Sequence, residues 1–248
     1  MAETHDEQEL QDGRMPFLAH LGELRRRIVV SLIALGIGFS VTFSFSERII
    51  NWLSRPMPVK LAFLEPTEPF WVNMKVALVS GGFLVLPIIL YEVWAFVAPG
   101  LLPRERKFAL PFVIVATLFF YVGAAFALTV IVPFALNFLV SYKTQNLVAT
   151  ISVNRYVDFV LKFTIAFGVV FEVPLAITLG SRLGLVTPEF LGRNRKYAVL
   201  LCAVAAAILT PTPDAFNMLL MAGPLYLLYE VGIVAARVFG RRPARQAA

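Results

Sequence analysis

Glu172 is a carboxylate near the middle of an apolar stretch, residues 159–179. An ionisable group at that depth costs on the order of several kcal/mol unless it is neutral, paired or wetted. The default reading is functional: a proton site, or a polar contact for something that enters the membrane. Its i±4 row reads Thr164, Gly168, Glu172, Ala176, Gly180. Every member is small or polar, so the row should face protein or a water-filled cavity rather than lipid. The competing account is a protonated glutamate bonded to a neighbouring helix. Two further acids stand among basic residues: Glu23 in His20-Leu21-Gly22-Glu23-Leu24-Arg25-Arg26-Arg27, and Glu105 in Arg104-Glu105-Arg106-Lys107. They read in two ways. One is ion pairing on a helix surface, which is worth little. The other is a pair of carboxylates presented to a cationic ligand, for which bidentate guanidinium pairing is the strong geometry.

No other chemistry-bearing constellation is present. There is no Ser/His/Asp grouping, no phosphate-cradling P-loop and no HExxH. Two histidines and the lone Cys202 cannot build a metal cage. A single cysteine cannot close an intramolecular disulfide. The expectation is a non-enzyme with no cofactor and no metal, whose transport, if any, is not driven by ATP bound to this chain.

Apolar elements must hold these residues. The chain of 248 residues is 58% apolar and only 15% charged, with a mean hydropathy of +0.76. Soluble domains carry about 25% charged residues, so composition excludes an ordinary soluble enzyme and points to the membrane. Six apolar runs stand out, at 28–45, 70–97, 108–132, 156–180, 197–209 and 215–238. Crossing the hydrocarbon core takes roughly 20 apolar residues. Five runs meet that. The run 197–209 covers only about 20 Å of a core of about 30 Å. It ends at Thr210-Pro211-Thr212-Pro213-Asp214, which cannot continue a helix. Either that turn sits below the outer membrane surface or the bilayer thins there; snorkelling by Arg195 and Lys196 would lengthen only the cytoplasmic end, which favours a depressed outer hairpin. The prolines Pro87, Pro174 and Pro224 suggest a curved, concave bundle.

Residues 1–14 are polar and acidic and read as a disordered tail; 239–248 is a basic tail. Arg25–Arg27 before an apolar run imitates a signal peptide. About two dozen polar residues precede it, however, and no A-x-A site follows, so 28–45 reads as a retained span. Net charge is +6 and pI 9.7, which in a soluble protein would suggest nucleic acid. Here the basic residues follow loops instead. Fifteen lie before the first span, after the second, after the fourth and at or beyond the end of the sixth; five lie on the opposite side. That bias places both termini in the cytoplasm and leaves no reason to expect nucleic acid. Lys75 and Lys162 read as snorkelling to the outer surface. Glu92 and Glu230, each preceded by tyrosine, read as parts of interfacial aromatic anchors.

Four blocks in order resemble the TatC family of twin-arginine protein translocase subunits. The first is His20-Leu21-x-Glu23-Leu24-Arg25-x-Arg27. The second is Pro87-x3-Tyr91-Glu92-x-Trp94-x-Phe96-x2-Pro99-Gly100-Leu101-x3-Glu105-Arg106. The third is Phe167-Gly168-x2-Phe171-Glu172-x-Pro174. The fourth spans Arg195-Lys196-Tyr197, Leu209-Thr210-Pro211-x-Pro213-Asp214 and Pro224-x4-Tyr229-Glu230. The match covers about residues 15–238. The chain departs from the family at Thr210-Pro211-Thr212-Pro213-Asp214, where Thr-Pro-Pro-Asp or a close form is usual.

The resemblance implies an all-α, polytopic, six-helix inner-membrane protein with both termini cytoplasmic. It implies recognition of twin-arginine signal peptides on folded cargo, assembly with single-span TatA/TatB-type subunits and with further copies of itself, and transport driven by the proton-motive force. By motif match, Glu23 and Glu105 would contact the arginine pair, with Leu24, Arg25 and Phe96 on the same surface. Glu172 would line the face where a signal peptide or partner helix inserts. Pro56 and the segment containing Glu65, Glu68 and Phe70 would shape an outer cap. Thr210, Pro211 and Asp214 would form the outer hairpin. The rival readings are an ion- or proton-coupled small-molecule carrier with Glu172 as proton site, which predicts a repeat that the sequence lacks, and a passive assembly scaffold.

Overall fold

The computed structural model describes residues 17–57, 59–98, 109–141, 150–209 and 215–240. Glu105, the Thr210–Asp214 hairpin and residues 1–14 and 241–248 lie outside the described residues. The chain divides into two compact units.

The first unit takes in residues 1–48 and 73–117. Helix α1, Phe17–Phe43, is 27 residues long. It starts well before the apolar run at 28, so Glu23 and Arg25–Arg27 ride on the same helix as the span. After α2 (Ser46–Leu53) and β1 (Leu61–Ala62) come α3, Glu68–Leu84, and α4, Leu86–Val97. The apolar run 70–97 is therefore two helices, bent by 59°. Pro87 explains the break: it has no N–H to donate and its ring would meet the carbonyl one turn earlier. Val85 takes φ −97° and ψ 6° at the corner, and Pro87 falls in the first turn of α4, where its fixed φ is welcome.

Backbone contact joins α1 to α3. A Cβ on Gly38 would stand 2.7 Å from the Gly81 carbonyl oxygen, and one on Gly81 2.6 Å from the Phe39 nitrogen. Only glycine permits that approach. Beside it the Thr42 hydroxyl lies 2.7 Å from the Ala77 carbonyl. Small residues and one hydroxyl hold helices together where lipid supplies no hydrophobic drive.

The second unit takes in residues 49–72 and 118–248. Helix α5 (Ala109–Phe126) runs through a π turn, Ala127–Ile131, into α6 (Val132–Ser141). The Val132 N–H donates to the Ala127 carbonyl, the wide bond that marks a π turn. The apolar run expected to end at 132 thus continues to 141. Next come β2 (Ile151–Ser152), α7 (Val153–Phe171), α8 (Val173–Arg182), α9 (Pro188–Arg193), α10 (Arg195–Leu209) and α11 (Ala215–Phe239). Pro174 sits in the first turn of α8, so the fourth run breaks at Glu172. Gly184, at φ +74°, makes the turn towards α9 that a side chain would resist. Val157, Val160, Phe163 and Phe167 of α7 are almost fully buried with Ile131, Val132, Met221 and Ile233. One addition to the all-α expectation is a two-residue parallel pair, Leu61 opposite Ile151 and Ala62 opposite Ser152.

Large apolar side chains remain exposed along the long helices: Leu32, Ile33 and Ile37 on α1, and Leu200, Leu201 and Ile208 on α10. Water would penalise such faces, whereas lipid matches them. Among the described residues four helical stretches are long and apolar enough to cross a membrane: His20–Phe43, Leu110–Ser141, Val153–Arg182 and Met221–Phe239. The bent pair α3–α4 makes a fifth candidate.

Candidate functional site

On α1, His20, Glu23, Leu24 and Arg27 follow the i, i+3, i+4, i+7 spacing that puts residues on one helix face. On α4, Glu92 and Phe96 are one turn apart. The two faces meet. The Arg27 Nε and Nη2 donate to Glu23 Oε1 at 2.8 and 2.6 Å, while Nη1 donates to Glu92 Oε2 at 2.9 Å. His20 stacks on Phe96 with ring centroids 4.3 Å apart. Leu24 is half-buried and Arg25 is exposed. The structure thus gathers Glu23, Leu24 and Phe96 around one helix pair.

The helix-surface reading of Glu23 is half right. The i,i+4 pair with Arg27 exists, but Arg27 also reaches across to a second helix. Glu92 is buried and ion-paired, so it is not part of an interfacial anchor; Tyr91 alone keeps the exposure an anchor needs. One signal in the sequence could have found Glu92. It is an acid inside an apolar run, the same feature that singles out Glu172.

Glu172 lies between α7 and α8. Its Oε1 is buried and has no hydrogen-bond partner among the described residues. The helix break means that its i±4 row is not one continuous stripe. Thr164 and Gly168 are buried, whereas Ala176 is exposed. The Phe120 ring fills the space at Gly168, where a Cβ would stand 2.6 Å from a ring carbon. Gly123 meets the Phe167 carbonyl and the Phe171 side chain as closely. An aromatic group, Phe126 with Phe167 and Phe171 at 5.8 and 5.7 Å, packs the turn that leads to the carboxylate. The arrangement leaves one carboxylate oxygen in apolar surroundings with no hydrogen-bond partner among the described residues.

In the outer-cap segment, Glu68 is buried. Its Oε1 accepts from the Ser152 hydroxyl at 2.9 Å, and its Oε2 from the Leu64 N–H at 3.2 Å. Glu68 therefore ties the segment before α3 to β2. Pro56, Glu65 and Phe70 are exposed. At the other end of the second unit, Arg195 grips Glu230 through Nε and Nη2 at 2.6 and 2.8 Å, and the Tyr226 hydroxyl donates to the same carboxylate at 2.8 Å. Glu230 is thus a helix-joining ion pair rather than an anchor. Lys162 lies 3.3 Å from the Ile208 carbonyl near the C-terminal end of α10, where a cation is favoured.

Apolar-faced helices, a carboxylate with a buried, unpartnered oxygen between two of them and a carboxylate–guanidinium cluster at the start of α1 define a polytopic helical membrane protein built around polar contacts. The sequence matches the family of Sec-independent protein translocase proteins, TatC, over residues 19–224. A TatC from Desulforapulum autotrophicum is 41% identical over 94% of this chain and 88% of its own. The TatCy of Bacillus subtilis is 35% identical over 95% of this chain and 94% of its own. A crystal structure described as the twin arginine translocase receptor TatC superposes with a TM-score of 0.79 at 38% identity, covering 90% of this chain and all of that one. The chain belongs to the TatC family. It is a membrane-embedded component of a protein translocase.

Proposed function

We propose that this chain is the receptor subunit that binds twin-arginine signal peptides of folded cargo, with Glu23 and Glu105 receiving the arginine pair at the cytoplasmic face. The observation that carries the reading is the state of Glu23. Its carboxylate already holds a guanidinium, Arg27, through two donors at 2.6 and 2.8 Å. It is partly solvent-exposed, its side chain 21% accessible, so a ligand guanidinium can reach it. Leu24, Arg25 and Phe96 flank it.

Membership of the family supports the rest of the proposal. The chain crosses the bacterial inner membrane six times with both ends in the cytoplasm. It works with single-span TatA/TatB-type subunits and further copies of itself, and the proton-motive force drives export. Glu172 supplies a polar contact to an inserted helix. Pro56, Glu65, Glu68 and Phe70 shape the outer cap, and Thr210, Pro211 and Asp214 the outer hairpin.

Purified receptor is tested against a twin-arginine peptide and a twin-lysine control. Retention of the first and not the second is expected. Equal retention of both would overturn the assignment, because a point-charge ammonium cannot reproduce bidentate guanidinium geometry.

A further inference from the structure

We propose that Arg27 is a built-in competitor for the ligand guanidinium at Glu23, and that Glu92 is the positioning carboxylate that keeps Arg27 when it is displaced. The proposal rests on the reading that Glu23 receives an arginine of the signal peptide. It adds two residues that would not touch the ligand and yet set its affinity and selectivity.

The geometry assigns unequal roles to the two acids. Arg27 spends Nε and Nη2 on Glu23 and Nη1 on Glu92. One cation serves two anions, so the cluster is one positive charge short of neutral. A second guanidinium completes it as two one-to-one pairs. Burial decides which acid the newcomer takes. The Glu92 side chain is 10% accessible and that of Glu23 is 21%. Stranding the more buried carboxylate costs more than stranding the outer one. Arg27 therefore stays with Glu92, and the ligand takes Glu23. The His20–Phe96 stack joins the same two helices close by, so the pair need not separate while the partners change.

Selectivity follows from the exchange. A ligand must displace a guanidinium that makes two charge-assisted bonds to one oxygen. Another guanidinium can match those bonds. An ammonium is a compact, strongly hydrated point charge and matches them poorly. Arg27 thus sets a threshold that arginine passes and lysine does not, which is discrimination by a competing state rather than by a better fit.

The test uses the full-length receptor in detergent, with fluorescent twin-arginine and twin-lysine peptides, on monodisperse protein of measured melting temperature. Glu23→Gln is expected to lose twin-arginine binding. Glu92→Gln is expected to weaken it about tenfold or more, because the displaced Arg27 then has no charged partner beside an incoming cation. Adding Arg27→Gln to Glu92→Gln removes the competitor and strands no charge at either position. That double variant should bind the twin-arginine peptide at least as tightly as the parent, and its preference over twin-lysine should shrink. If Glu92→Gln does not yield folded protein, the double variant alone carries the test, since a purely structural cluster would leave it weaker than the parent. Normal binding by Glu23→Gln would overturn the underlying site and this proposal with it. Loss in Glu23→Gln together with parental binding in Glu92→Gln, or with no recovery in the double variant, would overturn the exchange and leave the site standing.

Discussion

Glu23 and Glu172 are both acids beside apolar helix faces, and their surroundings suit them to different tasks. Glu23 is paired and wet, so it can trade one cation for another. Each charge-assisted contact it makes to a ligand should be worth roughly 1.5–3 kcal/mol, so its loss should weaken binding about tenfold to a hundredfold. Glu23→Ala and Glu105→Gln should each abolish cross-linking to a twin-arginine segment while the protein still inserts. Unchanged cross-linking in both would refute the site. Glu172 has a buried oxygen with no partner among the described residues, a state a native protein retains for a reason. Glu172→Ala should impair export more than peptide binding, and Glu172→Gln less, because the amide keeps hydrogen-bonding capacity without charge. Paired measurements of detergent melting temperature and cargo export check this. If export falls only in step with stability, the residue is structural.

At the scale of elements, glycine contacts outweigh hydrogen bonds. In membranes an interhelical hydrogen bond averages only about 0.6 kcal/mol, so Thr42→Val should scarcely move stability although its hydroxyl lies 2.7 Å from the Ala77 carbonyl. Gly81→Ala places a Cβ 2.6 Å from backbone that cannot rotate away. Overpacking of that kind costs about 1–3 kcal/mol. Unfolding of both variants in detergent should therefore rank Gly81→Ala well below Thr42→Val, and the reverse order would show that the hydroxyl, not the close approach, joins α1 to α3. The same elements show what a sequence can and cannot reveal. Apolar runs are legible because lipid demands them, and their approximate limits follow from the core thickness. Pro87 and Pro174 announce their breaks, since proline cannot sit in a helix interior without loss. The π turn at Ala127–Ile131 has no such marker: Pro133 follows it, but proline alone does not choose between a kink and a wide turn. The Arg27–Glu92 bond spans 65 residues and depends on how two helices cross, which no local spacing encodes. Family likeness alone proposes Glu68 for an outer cap; its bond with Ser152 depends on the strand pair, which no local spacing encodes.

For the whole molecule the deciding element is α10. Its 15 residues rise about 22 Å, against a hydrocarbon core of about 30 Å. If α10 crosses, the bent pair and the four long stretches bring the total to six and return the C-terminus to the side of the N-terminus. If it only dips into the outer leaflet or lies along the surface, the count is odd and the ends part. Two physical facts favour crossing. The basic residues around the start of α10 and near the end of α11, among them Arg193, Arg195, Lys196 and Arg237, sit at the two ends of this helix pair that must share a side, as cytoplasmic basic loops do. Arg195 is also bonded to Glu230 on α11, which brings the start of α10 level with the late part of α11, as two antiparallel crossing helices require. The shortfall of about 8 Å is then met by local thinning of the bilayer, at a cost of fractions of a kcal/mol per ångström. Lys162, bonded to the Ile208 carbonyl, would then mark where the outer boundary is drawn inwards. Reporter fusions settle the count. Alkaline phosphatase joined after Ala248 should be inactive and a fluorescent protein there bright, whereas phosphatase placed within residues 142–149 should be active. An active phosphatase at the C-terminus would mean that α10 does not cross, and the six-span topology would fall with it.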